Sequence, residues 1–476
     1  MENQHLKPQA VILSMTRDGE KLCAASGRIS TQPGDAIEIW NRSQEEEKNS
    51  SLIQKVTRSG HNSIVEHACF HLAFQNVSVM AEQFMIEFRL ASFTVKSRRY
   101  VDFSTAGYYM PDGLDDSLQA AYTAHMESLF ADYQYLIEHG VPMEDARFVL
   151  PYCFCSNFYC TLNGRELLHA LRAMLYGRGS AFPELALLGR QILEQARRLA
   201  PGVFAALDGE QAPVSDTLDF SDLTELPQGA QMIPRGYQFA ELLAATPKAA
   251  QCVARTALIQ AAQLPGEEIT RLVSKAETRA EILRRVIACA RPRALENTNF
   301  TFRLNGVSLP CVTHIVRHRM QSVMIPPLTQ TDRTHKIIPP SVRGDAACLA
   351  RYEGAFRRNA ALYHKLRGEG VAEETLVYFL LSGSTLDVVL TMNARELLLF
   401  LRLRTCSRAQ WEIRIYADEM LRTLREKEPE IFRFFGPSCF VTGTCPEGRL
   451  SCGKQKEVCE AYQMAGLIDG ENEGER

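Results

Sequence analysis

Charged side chains recur along an apolar helical stretch, residues 393–414, at a spacing that could bind an anion. In a helix, Asn393 and Arg404 are eleven residues apart, about three turns, and therefore share one face. Arg408 lies one turn further on, and Glu412 follows four residues later. Six of the ten positions between Asn393 and Arg404 are leucine or phenylalanine, so we expect the charged groups to be partly buried and each to need a partner. Two interpretations stay open: a buried ion-pair network, or a site facing an anionic ligand.

Two further basic clusters have the composition of phosphate sites. Ser97 and Arg99 lie two residues apart in the loop sequence SRRY, so that a hydroxyl and a guanidinium can reach one phosphate. Arg317, His318 and Arg319 directly follow the apolar segment VTHIV. A solvated surface is the alternative for both clusters. It is harder to reconcile with the second cluster, which continues a segment that looks buried.

Two other groups could hold a metal ion. His61 and Ser63 precede Glu66 and His67, but this spacing matches no zinc motif, and a capped helix start explains it equally well. Near the C-terminus four cysteines recur at steps of six and seven residues, longer than the usual zinc knuckle, and free thiols are the simpler alternative. These weak zinc candidates are Cys439, Cys445, Cys452 and Cys459.

An internal repeat organises the elements that carry these groups. Shifting the sequence by 230 residues aligns NGRELLHALR (163–172) with NARELLLFLR (393–402), with seven identities in ten positions. The same shift, without a gap, pairs Glu66 with Glu296 and Ser78 with Ser308. We therefore predict two tandem copies of one domain.

Each copy has the pattern of an α+β domain. Short apolar segments at 10–15 and 240–245, then longer ones with β-branched and aromatic residues, predict strands, and amphipathic segments predict helices. The predicted helices are 115–139, 163–176 and 183–199 in the first copy, and 345–366, 393–406 and 408–427 in the second. The predicted domain bounds are 1–205, a linker at 206–236, 237–438, and a cysteine-containing acidic tail at 439–476.

The overall composition is that of a soluble intracellular protein. A length of 476 residues with 46% hydrophobic residues exceeds one core, and a net charge of −3 provides no general attraction to nucleic acid or membrane. No apolar run is long enough to span a bilayer, and the N-terminus MENQHLKPQA lacks a signal peptide. Fourteen cysteines without a secretion signal indicate reduced thiols in a cytoplasm.

These motifs together resemble the flavin-dependent thymidylate synthases, whose signature is RHR, seven residues, then serine, often continuing to Arg-Tyr. Seven residues separate Arg89 from Ser97 in the first copy, and the second copy carries the complete RHR as residues 317–319. The stretch 146–151 (ARFVLP) is similar to a family segment that supplies a nucleotide-binding arginine, and 393–413 is similar to the family's C-terminal helices. The resemblance covers both copies, apart from the linker and the tail.

The resemblance implies reductive methylation of dUMP to dTMP, with carbon from methylenetetrahydrofolate and hydride from FADH2, which NADPH regenerates. It implies no cysteine nucleophile. Arg404 would be the catalytic residue, because a fixed positive charge at the pyrimidine edge favours the N3 anion. The implied dUMP-binding residues are Ser97, Arg99, Arg147, Arg317 and Arg404. The implied FAD-binding residues are His61, Ser63, Arg317, His318, Arg319, Asn163, Arg165, His169, Asn393 and Arg395.

The two copies depart from the family pattern in complementary ways. The first has Glu87-Phe88 in place of Arg-His and Met174 in place of Arg404. The second has Pro327, Thr329 and Val377 in place of Ser97, Arg99 and Arg147. Family sites combine different subunits of a tetramer, so we expect one composite site per pair of copies and a homodimer of fused chains as a pseudo-tetramer.

Two alternatives compete with a working synthase. One is a catalytically impaired relative that binds flavin or nucleotide, in which Glu87, Pro327 and Leu399 mark lost chemistry. The other is a related flavoenzyme that modifies a different pyrimidine. The complete RHR cluster together with Arg404 favours the synthase.

Overall fold

The computed structural model describes residues 5–45, 47–209, 212–214, 218 and 239–471; most of the predicted linker 206–236 falls outside these ranges. The first copy comprises β1 (Gln9–Met15), α1 (Gly19–Ile29), α2 (Ala36–Glu45), α3 (Asn49–Arg58), β2 (Cys69–Ser78), α4 (Val79–Ile86), β3 (Ser92–Val95), α5 (Asp116–Glu138), α6 (Met143–Ala146), β4 (Cys155–Asn163), α7 (Gly164–Leu175), α8 (Pro183–Leu199) and α9 (Pro201–Phe204). The second comprises β5 (Ala240–Ala245), α10 (Ala249–Ala262), α11 (Gly266–Ser274), α12 (Ala276–Ala288), β6 (Asn299–Ser308), α13 (Leu309–Ile315), β7 (Gln321–Met324), β8 (Asp332–Lys336), α14 (Pro340–Arg343), α15 (Ala346–Gly368), α16 (Glu373–Leu376), β9 (Ser384–Asn393), α17 (Ala394–Arg404), α18 (Trp411–Lys427) and α19 (Pro429–Phe432). Two helices follow it: α20 (Ser438–Thr442) and α21 (Gln455–Glu471).

The repeat predicted from the sequence is confirmed in the strand pairing. Antiparallel strands run in the order β1-β2-β4-β3 in the first copy and β5-β6-β9-β7 in the second. Phe70 pairs with Leu162, and Phe300 pairs with Met392, so the register is preserved across the 230-residue shift. The α+β class and the two-copy organisation are therefore both observed.

A left-handed residue sits at the same bulge in both copies. The β2–β4 register shifts between Phe74 and Val77, and the β6–β9 register shifts at the equivalent place. Asn76 occupies the first bulge with φ 54°, and Gly306 occupies the second with φ 67°. Asparagine and glycine are the residues that adopt this conformation at least cost, which explains the exchange between them.

A buried carboxylate receives the start of the helix after the second strand in each copy. Ser78 caps α4, and its backbone N–H and hydroxyl donate to Glu184 over 2.7 and 2.6 Å. Ser308 caps α13 and donates in the same way to Glu412, with a backbone distance of 2.8 Å. Because each carboxylate lies at the start of α8 or α18, one contact fixes three elements.

The compact units of the structure do not follow the two sequence copies. Residues Met1–Gln231 form the first unit together with Thr331–Ser384, and Met232–Gln330 form the second with Thr385–Arg476. A segment of the second copy that carries α14, α15 and α16 thus belongs to the first unit.

Polar contacts between α5 and α15 hold this segment within the first unit. Asp132, buried on α5, pairs with Arg351 and Arg358 of α15. His125 Nε2 lies 2.9 Å from Asn359 Oδ1, and the Asn359 amide donates to a backbone carbonyl over 2.8 Å. Backbone hydrogen bonds also connect this segment to the first copy. The Tyr152 N–H donates to the carbonyl of Leu380 over 2.7 Å, and the Ser382 N–H donates to the carbonyl of Leu150 over 2.9 Å.

The stretch 393–414 divides into two helices, as the predicted helices 393–406 and 408–427 indicate, but the expectation that Arg408 and Glu412 continue the face of Asn393 and Arg404 is wrong. Helix α17 ends at Arg404, and α18 begins at Trp411 after a turn. Gln410 caps α18 by accepting from two backbone N–H groups over 3.1 Å. The side chain of Glu412 consequently faces Ser308 instead of Arg408.

Candidate active-site groups

Arg404 belongs to a hydrogen-bonded network in the second unit. Its Nε donates to His318 Nε2 over 3.0 Å, and its terminal nitrogen donates to the carbonyl of His314 over 3.1 Å. His318 Nδ1 lies 3.3 Å from the Glu396 carboxylate. The Phe400 ring packs edge-to-face against the His318 imidazole, with 4.8 Å between the ring centroids. The guanidinium is thereby held in a fixed direction at the end of α17.

The surroundings of His318 favour its neutral form. Burial lowers the pKa of His318, and the neighbouring Arg404 charge lowers it further, although the hydrogen bond to Glu396 opposes both. Because Nε2 accepts from Arg404, the ring proton lies on Nδ1, where it faces Glu396. A neutral ring accepts from the arginine without adding a second positive charge.

The RHR cluster separates into two environments. His318 is buried, whereas Arg317 and Arg319 on either side of it are exposed. The exposed pair can meet an anionic ligand, while the buried ring positions Arg404. The sequence predicted the cluster but not that its histidine is buried while its two arginines are exposed.

The asparagine and arginine found in both copies have the same local contacts. Asn393 caps α17 and Asn163 caps α7, each accepting from a backbone N–H over 2.9 Å. Arg395 pairs with Glu296. Arg165 pairs with Glu66 over 2.7 Å. The caps account for the presence of asparagine in both copies without any ligand.

Two of the residues predicted to bind phosphate, Arg99 and Arg147, contact Glu144 in the first unit, and Ser97 contacts the Arg99 backbone. Arg99 Nε contacts the Glu144 carboxylate, and Arg147 Nε donates to the Glu144 carbonyl over 2.9 Å. The Arg99 backbone N–H donates to Ser97 Oγ over 3.3 Å. Arg147 is almost fully buried, whereas Ser97 and Arg99 are half-buried. The prediction overlooked Glu144, although a carboxylate three residues before Arg147 was a visible signal.

The remaining arginine of SRRY has a structural partner. Arg98 is buried and makes two parallel contacts with Glu82, at 3.0 and 2.8 Å. Ser156 also donates to this carboxylate. Arg98 therefore anchors the loop from below and leaves Arg99 at the surface of the site.

The first copy has a different set of contacts at the positions of the Arg404 network. Glu87 pairs with Arg178 over 2.7 Å, and burial raises the pKa of this carboxyl against the lowering effect of Arg178. Phe88 stands where His318 stands, and Met174, fully buried, stands where Arg404 stands. The first copy therefore has two apolar side chains, Phe88 and Met174, and one ion pair, Glu87–Arg178, at the positions of the Arg404 network.

The other flavin candidates of the first copy are accessible. His61 and Ser63 are exposed at the start of a short 3₁₀ segment. His169 is exposed, with Nδ1 3.5 Å from Glu166 and its ring at 5.2 Å from that of Phe88. At the position equivalent to His169, the second copy exposes an apolar side chain, Leu399, to 46%.

The four candidate cysteines do not form a zinc site in the described part of the chain. No group of three histidine, cysteine, aspartate or glutamate side chains there is arranged to hold a metal ion. Cys439 is buried, Cys445 and Cys459 are half-buried and Cys452 is exposed. Within the same residues, no helix is long and apolar enough to cross a membrane.

Comparison with known proteins identifies the family. A family model described as "Thymidylate synthase complementing protein" matches residues 11–202 and again 241–430. A flavin-dependent thymidylate synthase of Geobacter sulfurreducens is 35% identical over 226 residues, which are 47% of this chain and 97% of the relative. One from Clostridium tetani is 31% identical over 240 residues, 47% of this chain and 96% of the relative. The chain therefore belongs to the flavin-dependent thymidylate synthase family and carries its domain twice.

One solved structure is similar to this chain over about the length of a single copy. It is a UMP/dUMP methylase of Streptomyces cacaoi bound with 5-Br dUMP, 23% identical, with a TM-score of 0.38. The similarity covers 44% of this chain and 97% of that one.

Proposed function

We propose that this chain is a flavin-dependent thymidylate synthase that converts dUMP to dTMP at one composite site. Residues of the first copy, Ser97, Arg99 and Arg147, would bind the phosphate. Residues of the second copy, 317–319 and Arg404, would serve the pyrimidine and the flavin. The observation that carries this proposal is the complementary retention: each copy keeps the half of the family set that the other has lost.

The contacts within each unit support both halves separately. Arg99 contacts the carboxylate of Glu144 and Arg147 its backbone carbonyl, and this shared neighbour supports the assignment of both guanidinium groups to one dianionic phosphate. Arg404 is oriented by His318 and by a backbone carbonyl, so its positive charge is in place before substrate arrives. Preorganised charge of this kind stabilises negative charge that develops during reaction.

Arg404 would act on the uracil ring. A guanidinium beside the pyrimidine edge stabilises the N3 anion, and the electron density then rises at C5, the carbon that receives the methyl group. His318 would hold the guanidinium in this direction as a neutral acceptor. None of the fourteen cysteines is required as a nucleophile.

The residues assigned to FAD suit that cofactor. His61, Ser63 and Arg165 are exposed in the first unit, as are Arg317 and Arg319 in the second, and such hydroxyl, imidazole and guanidinium donors suit a pyrophosphate. When bound, the flavin supplies the hydride. We propose NADPH as its reductant, methylenetetrahydrofolate as carbon donor, and a homodimer of fused chains as the assembly. Fourteen unpaired thiols favour a reducing compartment such as the cytoplasm.

The test is release of tritium from 5-labelled dUMP with FAD, NADPH and methylenetetrahydrofolate supplied. Release that requires all components and is lost in Arg404→Ala and in Arg99→Ala is expected. No release from a folded, flavin-loaded protein would instead indicate a binding relative or another pyrimidine substrate. Full activity of Arg99→Ala would exclude the composite assignment while leaving the synthase intact.

The repeat offers a matched control for the unequal use of the copies. Arg319 and Arg89 occupy equivalent positions and are both exposed. Arg319→Ala should reduce turnover, and Arg89→Ala should leave it unchanged, because only the first belongs to a retained set. Equal losses in the two variants would indicate two working sites.

A further inference from the structure

The segment after the second copy, residues 437–462, is an addition to the family domain, since the family match ends at residue 430. We call it the cysteine segment. It packs on the turn 405–410 that follows α17 and on α18. Ser438 donates to the carbonyl of Arg402 over 3.3 Å, and Tyr462 donates to the Asp418 carboxylate over 3.0 Å.

A cavity of about 100 Å³ lies between the cysteine segment and this turn. One wall is the turn with the start of α18, including Arg408 and Arg414; the other is the cysteine segment. Four thiols line the cavity: Cys406, Cys439, Cys445 and Cys452. A small, solvent-accessible space bordered by four thiols and two guanidinium groups has the composition of a thiol-reactive site.

Two of these thiols, Cys439 and Cys452, have pKa values that move in opposite directions. Burial raises the pKa of Cys439 and makes it a poor nucleophile. Cys452 is exposed, and a hydrogen bond from Ser407 lowers its pKa, with further contributions from the backbone N–H of Lys454 and the charge of Arg408. Cys452 is therefore the thiol with the most thiolate character at the cavity.

A second thiol, Cys445, lines the same cavity close to Cys452 in the sequence. Cys445 is half-buried, lines the same cavity and is separated from Cys452 by a single 3₁₀ turn, Gly448–Leu450. Arg408 Nε donates to the carbonyl of Leu450 and so holds this turn against the cavity. A loop of seven residues closes at low entropic cost once its turn is already formed.

We propose that the cavity is a thiol–disulfide exchange site for small-molecule disulfides, with Cys452 as the attacking thiol and Cys445 as the resolving thiol. The Cys452 thiolate forms a bond to one sulfur of the disulfide RSSR, the S–S bond breaks, and RS⁻ leaves and takes up a proton. The Cys445 thiol then loses its proton and attacks the Cys452 sulfur, which releases the second RSH and forms a Cys445–Cys452 disulfide. Two protein thiols are oxidised, and one RSSR is reduced to two RSH.

The first test compares two exposed cysteines of the intact protein. Oxidised glutathione is added near pH 7, and the modification of each cysteine is followed by peptide mass spectrometry. Cys452 should react several-fold faster than Cys289, which is also exposed but lies outside the cavity. Equal rates, or faster modification of Cys289, would overturn the proposal. Ser407→Ala should slow Cys452 and leave Cys289 unchanged.

The second test identifies the resolving thiol. Trypsin places Cys452 on the peptide Leu450–Lys454 and Cys445 on Phe434–Arg449, together with Cys439. The oxidised protein should yield these two peptides joined by a disulfide. Cys439→Ser should retain the link, whereas Cys445→Ser should stop at the mixed disulfide with glutathione. A mixed disulfide that persists in the wild-type chain would overturn the resolving role.

Discussion

Replacing His318 by phenylalanine should separate the support of Arg404 from the stability of the fold. Phenylalanine is the residue that the first copy carries at the equivalent position, Phe88, so the ring is accommodated by a backbone of the same design. The variant removes the Nε2 acceptor of Arg404 and the Nδ1 donor that faces Glu396.

Two separate losses follow from these contacts. A hydrogen bond from a charged donor is worth about 1.5–3 kcal/mol, and the lower value applies because Arg404 is half-buried and keeps its contact with the His314 carbonyl. A loss of about 1.5 kcal/mol in transition-state stabilisation is roughly tenfold in kcat/KM. The buried Glu396 carboxylate also loses its partner, which should cost roughly 1–3 kcal/mol in the free energy of unfolding.

The repeat provides a variant that repairs only one of the two losses. In the first copy, Glu166 keeps a partner in His169 beside Phe88. The double variant His318→Phe with Leu399→His copies that arrangement and should recover stability in urea denaturation, while kcat/KM for dTMP formation stays low. If His318→Phe alone retained kcat/KM within twofold with normal nucleotide and flavin occupancy, His318 would not position Arg404.

Five further variants, at four positions, test the fold. Burial raises the pKa of Glu184 to about 7, so its contribution to the free energy of unfolding is present below about pH 4.5 and is lost as the pH rises through 7. Glu184→Gln should remove this pH dependence, which amounts to about 3 kcal/mol. Urea denaturation at several pH values measures it. Asn76→Ala and Gly306→Ala should each cost about 1 kcal/mol because φ is positive, whereas Asn76→Gly should be nearly neutral in the same assay. Asn359→Ala should cost roughly 3 kcal/mol, since it leaves both His125 and a backbone carbonyl without their buried partner; an unchanged denaturation midpoint would contradict this.

The sequence repeat was informative because it constrains register as well as element type. A shift of 230 residues carries α5 (Asp116–Glu138) onto α15 (Ala346–Gly368) without a change in length, and the predicted helices 115–139 and 345–366 agree with both. The site groups were equally visible, since Arg404, the RHR cluster and SRRY are local in sequence.

Features that depend on tertiary contacts were not visible. The sequence predicted a break between the helices 393–406 and 408–427 but not the length of the turn, which contains neither glycine nor proline and ends at an uncommon capping residue, Gln410. The hydrophobic periodicity of residues 331–384 does not reveal that they belong to the first unit, because the same apolar faces are buried whichever copy they pack against. The contact of Arg404 with His318 is of the same kind, since it joins residues 86 positions apart.

Because residues 331–384 belong to the first unit, this unit can be completed only late in synthesis. The first unit lacks α15, the partner of Asp132 and His125, until the ribosome has translated through Ser384, by which time most of the second copy has also emerged. The nascent first copy therefore spends more than a hundred residues of elongation with a buried-type carboxylate and an apolar helix face open to solvent. A gene divided within 206–236 would deliver two polypeptides of which neither contains a complete first unit, so the first unit could form only when the two fragments associate.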